Sequence, residues 1–343
     1  MKELLKCDPQ LVTIPAGDGR IGVSNRFAGR IFAELGGRLV HRFDAERAAA
    51  PQPGEFNNLG GNSLWPAPEG GDFAFNYLPG TGWLVQNEVG VKSTATLKSA
   101  PGGITVGKEL KLRNRAGAKL TLAMRRQVRA LEVGDLASRF GVAALAYRTL
   151  DEFRAVLPRP LDLALFSAWS LEQFPGGDGV VAFGRALGGA AQAVNADYYG
   201  NPGARLDCRG AWFRLELGGE ARFQLGLDHR TKPNLIGAWD RKRELLMLRR
   251  IWRTAPGVFF NIADNDQPRG PYSAADSYSI FNGGPLGFFE LETIAPLELD
   301  RVGRGVASRP YSDTIIFHGP PERLAALLKT RFRVPASITG ERS

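Results

Sequence analysis

Arg30-Ile31-Phe32-Ala33-Glu34-Leu35-Gly36-Gly37-Arg38-Leu39-Val40-His41-Arg42-Phe43 is the stretch from which the fold is read. Two short apolar-rich runs flank Gly36-Gly37, and two consecutive residues free to take positive φ are what a two-residue reverse turn requires. The reading is a tight hairpin, which commits the chain to antiparallel pairing at its start. Outward from it, short apolar or alternating segments recur between Gly, Pro, Asn and Asp, and 42 Gly and 22 Pro supply the turns. Strands are predicted over 103–112, 120–131, 142–149, 161–167, 180–183, 212–217, 222–227, 244–252, 258–262, 287–294 and 313–318. Helical signals are few. Pro320-Pro321-Glu322 followed by leucines at 324, 327 and 328 predicts a helix over 320–332, and the alanine-rich 186–196 stretch is a weaker second. Many strands without strand–helix alternation, and without a visible repeat, predict an all-β chain built as a large antiparallel sandwich or barrel, with the C-terminal helix capping an edge or end.

Composition agrees with a folded chain. Of 343 residues 43% are hydrophobic, 10% aromatic and 23% charged, which excludes disordered and collagen-like classes. Roughly 150 residues per domain would suggest two units, but large β architectures exceed that figure, and 1–343 is read as one domain with 1–19 as a lead-in. No long apolar run is present, and Met1 to Pro9 lacks the apolar stretch of a signal peptide, so a cytoplasmic chain without membrane partners is expected. Cys7 and Cys208 lie far apart with no nearby ligand residues, which points to inert thiols. The net charge of +9 is spread over scattered arginines and over pairs such as Arg125-Arg126 and Arg249-Arg250 inside strand segments. That distribution predicts a solvated basic surface and no nucleic-acid partner, with a basic cleft for anionic ligands such as sugar phosphates as the minority reading.

No GxxxxGK[ST] loop, HExxH pair or GxSxG elbow occurs, and the three histidines (41, 229, 318) stand in unrelated contexts. No metal and no cofactor are expected. Four segments carry groups suited to ligand chemistry. Glu55 to Asp72, rich in turn formers, combines Trp65 with Asn62 and Glu69: an aromatic face for sugar C–H groups beside amides and carboxylates for hydroxyls, or a structural loop in which Trp65 plugs the core. Ser167 to Asp178 brings Trp169 and Gln173 to a strand end. Leu225 to Pro233 holds His229 and Lys232, which are either proton donors or simply exposed loop charges. In the fourth, Asp276 precedes Phe288-Phe289-Glu290-Leu291-Glu292-Thr293. An extended chain puts Phe288, Glu290 and Glu292 on one face and Phe289, Leu291 and Thr293 on the other, so an apolar inner face leaves two carboxylates facing either solvent or a cleft.

In their order along the chain the Gly36-Gly37 hairpin, Gly60-Gly61-Asn62-Ser63-Leu64-Trp65-Pro66-Ala67-Pro68-Glu69-Gly70-Gly71, Trp169 to Phe174, Phe223-Gln224-Leu225-Gly226 with Lys232-Pro233, and Phe289-Glu290-Leu291-Glu292-Thr293 leading to Pro296 resemble the galactose mutarotase-like (aldose 1-epimerase-like) superfamily. The resemblance covers most of 20–318. It implies a β-supersandwich with a sugar cleft, and ring opening of an aldose in which a Glu takes the anomeric hydroxyl proton while an acid protonates the ring oxygen. Glu292 best matches the family's base, with Glu290 second. No segment matches the family's mid-chain His, which leaves His229 or Lys232 as acids. The expected ligand is a sugar or sugar derivative, bound by Asn62, Trp65, Glu69, Trp169, Gln173, Lys232 and Asp276, and the activity that the resemblance implies is epimerisation through Glu292 or Glu290. Non-catalytic carbohydrate recognition is the alternative. Glycoside hydrolysis or lysis is a third reading, and needs opposed carboxyls that two residues of one strand do not supply unless Glu69, Asp276 or another acid lies opposite.

Overall fold

A computed structural model describes residues 1–196, 200–260 and 275–339. Among them the strands form two large antiparallel sheets. Six strands of the first sheet position the site: β1 (Arg30–Leu35), β2 (Gly61–Ala67), β3 (Ser167–Pro175), β4 (Phe223–Asp228), β5 (Asp276–Asn282) and β6 (Phe288–Ile294). They lie side by side in the order β1-β2-β3-β6-β5-β4, with Val12–Ala16 and Gly19–Ser24 beyond β1. The second sheet runs from Leu206–Arg209 through Val180–Ala186, Leu245–Arg253 and Ala143–Arg159 to Ala95–Ala100. No described helix is long and apolar enough to cross a membrane.

The opening hairpin forms as read. Gly36 and Gly37 take φ of 59° and 76°, and Glu34 faces Leu39 while Leu35 faces Arg38. Its second arm is short, Arg38–Leu39, after which Val40 and His41 turn into the interior. The core between the sheets draws Ile21, Ile31, Leu225, Phe289 and Leu291 from the first sheet and Val106, Val128, Leu145, Phe213 and Met247 from the second. Alternation therefore sends every second residue of β3, β4 and β6 inward and the intervening ones to the opposite face of the first sheet. The two arginine pairs divide the same way. Arg126 and Arg249 are buried between the sheets while Arg125 and Arg250 are exposed, so the basic surface is smaller than the sequence suggests.

Burying those two cations requires partners. Arg126 pairs with Asp151 through Nε at 2.8 Å and donates to Asn62 and to the Gly29 carbonyl. Arg249 donates to the backbone carbonyls of Ser170 (2.8 Å) and Leu291 (2.6 Å) and lies 3.2 Å from Glu172. Glu172 also meets His41 at 2.9 Å, Thr314 at 2.7 Å and the Tyr147 hydroxyl. Burial alone would raise the Glu172 carboxyl, but Arg249, His41 and Tyr147 outweigh it and bring it down to about 2.

Several expectations need correction. The 161–167 segment is turn and irregular chain up to Phe166, and the strand begins at Ser167. Val258 makes one isolated bridge with Leu297 instead of a strand, and residues 261–262 lie outside the described residues, as do 271–274. The alanine-rich stretch holds only a four-residue helix, Ala190–Ala193, between two strands. The lead-in is structured: Lys2–Cys7 is helical and Val12–Ala16 is a strand of the first sheet. The C-terminal helix, Pro321–Leu327, continues as a wider turn over Leu328–Phe332. It lies on the outer face of the second sheet, not on an edge, because Trp239, Leu246, Leu248 and Phe317 present an apolar surface there that Leu324, Leu327 and Leu328 cover. The Gly61–Ala67 segment, read as a loop, is a strand despite Pro66. Its pairing with β1 is confined to Ile31 and Asn62, so the missing Pro66 N–H deprives no partner.

Candidate functional site

On the face of the first sheet turned away from the core, β1, β2, β3, β4, β5 and β6 floor a cavity of about 420 Å³. That volume falls within the range of roughly 300–1,000 Å³ usual for small-molecule sites. Outward positions supply the floor: Arg30 from β1, Ser63 and Trp65 from β2, Trp169, Leu171 and Gln173 from β3, Gln224 from β4, Phe281 from β5, and Phe288, Glu290 and Glu292 from β6. Phe56, Glu69, Tyr77 and Trp83 come from the connections on either side of β2, and Arg222 and Leu286 from loops at the other side.

Register explains the centre. Leu171 faces Glu292 and Gln173 faces Glu290 across the β3–β6 ladder, which brings Gln173 Nε2 to donate to Glu290 Oε1 at 2.7 Å. Glu292 Oε2 accepts from Trp169 Nε1 at 2.9 Å and from Gln224 Nε2 at 3.0 Å. Both carboxyls are buried, Glu292 fully. Burial pushes the Glu290 carboxyl up to about 7 despite the Gln173 hydrogen bond and the attraction of Arg30 and Arg42. Burial, then the neighbouring Glu290 charge, holds Glu292 well above the carboxylate range. The two carboxyls are coupled, so the charge on one raises the cost of ionising the other.

Three buried polar atoms around this pair have no hydrogen-bond partner among the described residues: Arg30 Nε, Gln173 Oε1 and Glu292 Oε1. Arg30 is anchored through Nη1 to the Gly60 carbonyl at 2.6 Å, and burial lowers its guanidinium to about 10, which leaves it a cation. A guanidinium nitrogen, an amide oxygen and a carboxyl oxygen are thus held at an apolar wall without partners among the described residues. Such groups are ordinarily satisfied in folded proteins.

A family model, Family of unknown function (DUF6786), matches residues 4–339. The chain belongs to this family. No curated protein matches the sequence. Among solved structures the chain is similar to a galactose mutarotase-like protein from Lactobacillus casei ATCC 334, at 11% identity and a TM-score of 0.48 over 90% of this chain and 100% of that one. It is also similar to a galactose mutarotase related enzyme from Lactobacillus acidophilus, at 9% identity and a TM-score of 0.48 over 90% and 98%. A third likeness, to 4-alpha-glucanotransferase from Thermococcus litoralis, has 6% identity and a TM-score of 0.32 over 90% and 37%. The pairing of the two sheets themselves makes this DUF6786 chain the large antiparallel β-sandwich that the strand pattern predicts.

The structure brings together six of the residues singled out in the sequence: Glu290, Glu292, Trp65, Glu69, Trp169 and Gln173. It keeps four apart from the cavity lining. Asn62 has the opposite parity to Trp65 on β2, so it points between the sheets, where Arg126 and Ser170 meet its Oδ1. Asp276 is fully buried at the start of β5 and accepts from Asn195 Nδ2 at 2.6 Å. His229 and Lys232 sit in the turn beyond β4, where the His229 ring stacks on Phe259 at 4.1 Å and its Nδ1 meets the Ala275 carbonyl. The lining residues not picked out in advance include Arg30 and Gln224. Alternation would have found Gln224, because Phe223 and Leu225 are core residues of the same strand, whereas Arg30 reaches the cavity only because β1 lies beside β2.

Proposed function

We propose that this cavity binds a sugar and that Glu290 and Glu292 together serve as acid and base in opening and reclosing its ring at the anomeric carbon. The observation that carries the reading is the buried carboxyl pair, hydrogen-bonded by Gln173, Trp169 and Gln224 in a cavity that Trp65 and Trp169 also line. The anomeric hydroxyl oxygen and the ring oxygen are bonded to the same carbon, so two carboxyls two residues apart on one strand suffice to address both. The ionised carboxyl takes the hydroxyl proton while the protonated one gives its proton to the ring oxygen. The ring C–O bond breaks, the aldehyde rotates, and reclosure with the proton transfers reversed regenerates the pair. This assignment places the acid in the pair, where the sequence suggested His229 or Lys232. Glycoside hydrolysis is less well served by this pair, since its carboxyls stand on opposite sides of the scissile bond and these stand together on β6, while Glu69, the further carboxylate of the lining, is engaged by Trp83 Nε1.

The test is a panel of free aldoses on wild type, Glu290→Gln and Glu292→Gln, with binding followed by calorimetry and anomer interconversion by NMR exchange. The expected result is interconversion that falls roughly 10²- to 10⁴-fold in either variant, the usual contribution of a positioned acid or base. Binding without interconversion in the wild type would restrict the site to recognition. Absence of both would reject it as a sugar site.

A further inference from the structure

The aromatic groups of the cavity do not end where one sugar ring would end. Trp169, whose Nε1 is tied to Glu292, packs edge-to-face on Trp65 (centroids 6.5 Å apart, 85°), Trp65 on Phe56 (5.6 Å, 86°) and Phe56 on Trp83 (5.7 Å, 87°). Exposure rises along this series from 2% at Trp169 and 7% at Trp65 to 38% at Phe56 and 42% at Trp83. The rings therefore lead from the carboxyl pair at the base to the solvent edge of the same cavity. Indole is a large apolar surface to leave in water, and Trp83 is not loose: its Nε1 donates to Glu69 Oε1 at 2.9 Å, which fixes the ring and satisfies its polar edge. A fixed, half-exposed tryptophan beside a site with unmet hydrogen-bonding groups is a preorganised platform for something that extends out of the site.

Resting on the sugar-site reading above, we infer that Trp83 and Phe56 form a second sugar subsite and that the ligand is a reducing oligosaccharide of at least two rings. Its reducing-end ring lies over the Glu290–Glu292 pair at the base of the cavity, and the next ring stacks at Trp83. The occupant is carbohydrate by continuity: the platform is the outer end of the wall whose inner end bounds the base ring. Stacking of one more ring is worth roughly three- to tenfold in affinity.

Calorimetry with glucose and galactose against cellobiose, maltose and lactose, on wild type, Trp83→Ala and Trp83→Phe, tests this. The wild type is expected to bind at least one disaccharide roughly three- to tenfold more tightly than its component monosaccharide. Trp83→Ala is expected to bring that ratio to about one, and Trp83→Phe, which retains an aromatic face, to keep most of it. A wild-type ratio near one, or a ratio that Trp83→Ala leaves in place, overturns the second subsite while monosaccharide binding still stands for the base. If neither class of sugar binds the wild type, the base reading and the subsite fall together.

Discussion

At the scale of single residues, buried charge governs both the site and the interior behind it. Glu290 and Glu292 are kept from ionising in the ordinary range by burial, while Glu172, one position before Gln173 on β3 and facing the other way, is kept ionised by Arg249 and His41. The neighbouring strands β3 and β6 thus support opposite electrostatic settings on the two faces of one sheet. Arg249 links them, since it pairs with Glu172 and holds the Ser170 and Leu291 carbonyls of the two strands that carry the site. Arg249→Ala is expected to cost about 3–5 kcal/mol in denaturant unfolding, because it strands the Glu172 charge between the sheets. A loss under about 1 kcal/mol would show that water reaches Glu172. The Glu290–Glu292 pairing was legible in the sequence because strand alternation needs only local chain direction. What could not be read was the burial of the carboxyl-bearing face, which depends on Trp65, Trp169 and Phe56 arriving from other strands and loops.

At the scale of elements, the hairpin and most of the strands were legible because their signals are local: paired glycines, alternation and bounding turn formers. The Gly61–Ala67 strand was not, since its composition of Gly, Asn, Ser and Pro describes a loop, and only its place between β1 and β3 makes it extended. Reading it as a loop removed the parity rule, which is why Asn62 was grouped with Trp65. The two kinds of glycine in this region separate experimentally. Gly37 has φ of 76° and open space where a methyl group would stand, so Gly37→Ala is expected to cost about 1 kcal/mol, the left-handed penalty alone. Gly60, at φ of 80°, would bring a Cβ to 2.0 Å from the Arg42 carbonyl, and its own carbonyl anchors Arg30. Gly60→Ala is expected to cost about 3 kcal/mol in thermal or denaturant unfolding. Equal losses in the two variants would mean that the β2 entry relaxes around the added carbon.

At the scale of the whole molecule, the buried acid groups give stability a pH dependence with two limbs. The raised carboxyls of Glu290 and Glu292 favour the fold fully below their unfolded value of 4.5; the Glu290 contribution is lost as pH rises through about 7, and that of Glu292 as pH rises through its own raised value. The lowered Glu172 acts in the opposite sense: its contribution is present above 4.5 and lost as pH falls toward about 2. Unfolding midpoints are therefore expected to decline between pH 4.5 and 7 in the wild type, and less steeply in a Glu290→Gln, Glu292→Gln double variant. Identical slopes in the two proteins would show that the pair is not desolvated. The sandwich itself was legible from strand number and the scarcity of helices. The position of the C-terminal helix on a sheet face was not, because the surface it covers is assembled from strands far apart in sequence.

Proton transfer by the coupled pair on a bound sugar is tested most directly by the rate of anomer interconversion as a function of pH, corrected for the spontaneous reaction, in the wild type and Glu290→Gln. The expected wild-type rate rises as pH passes through about 7, where Glu290 ionises beside a still-protonated Glu292, and the variant loses both the rate and the pH dependence. A wild-type rate indistinguishable from the spontaneous reaction, or a catalysed rate that Glu290→Gln leaves intact, would contradict it.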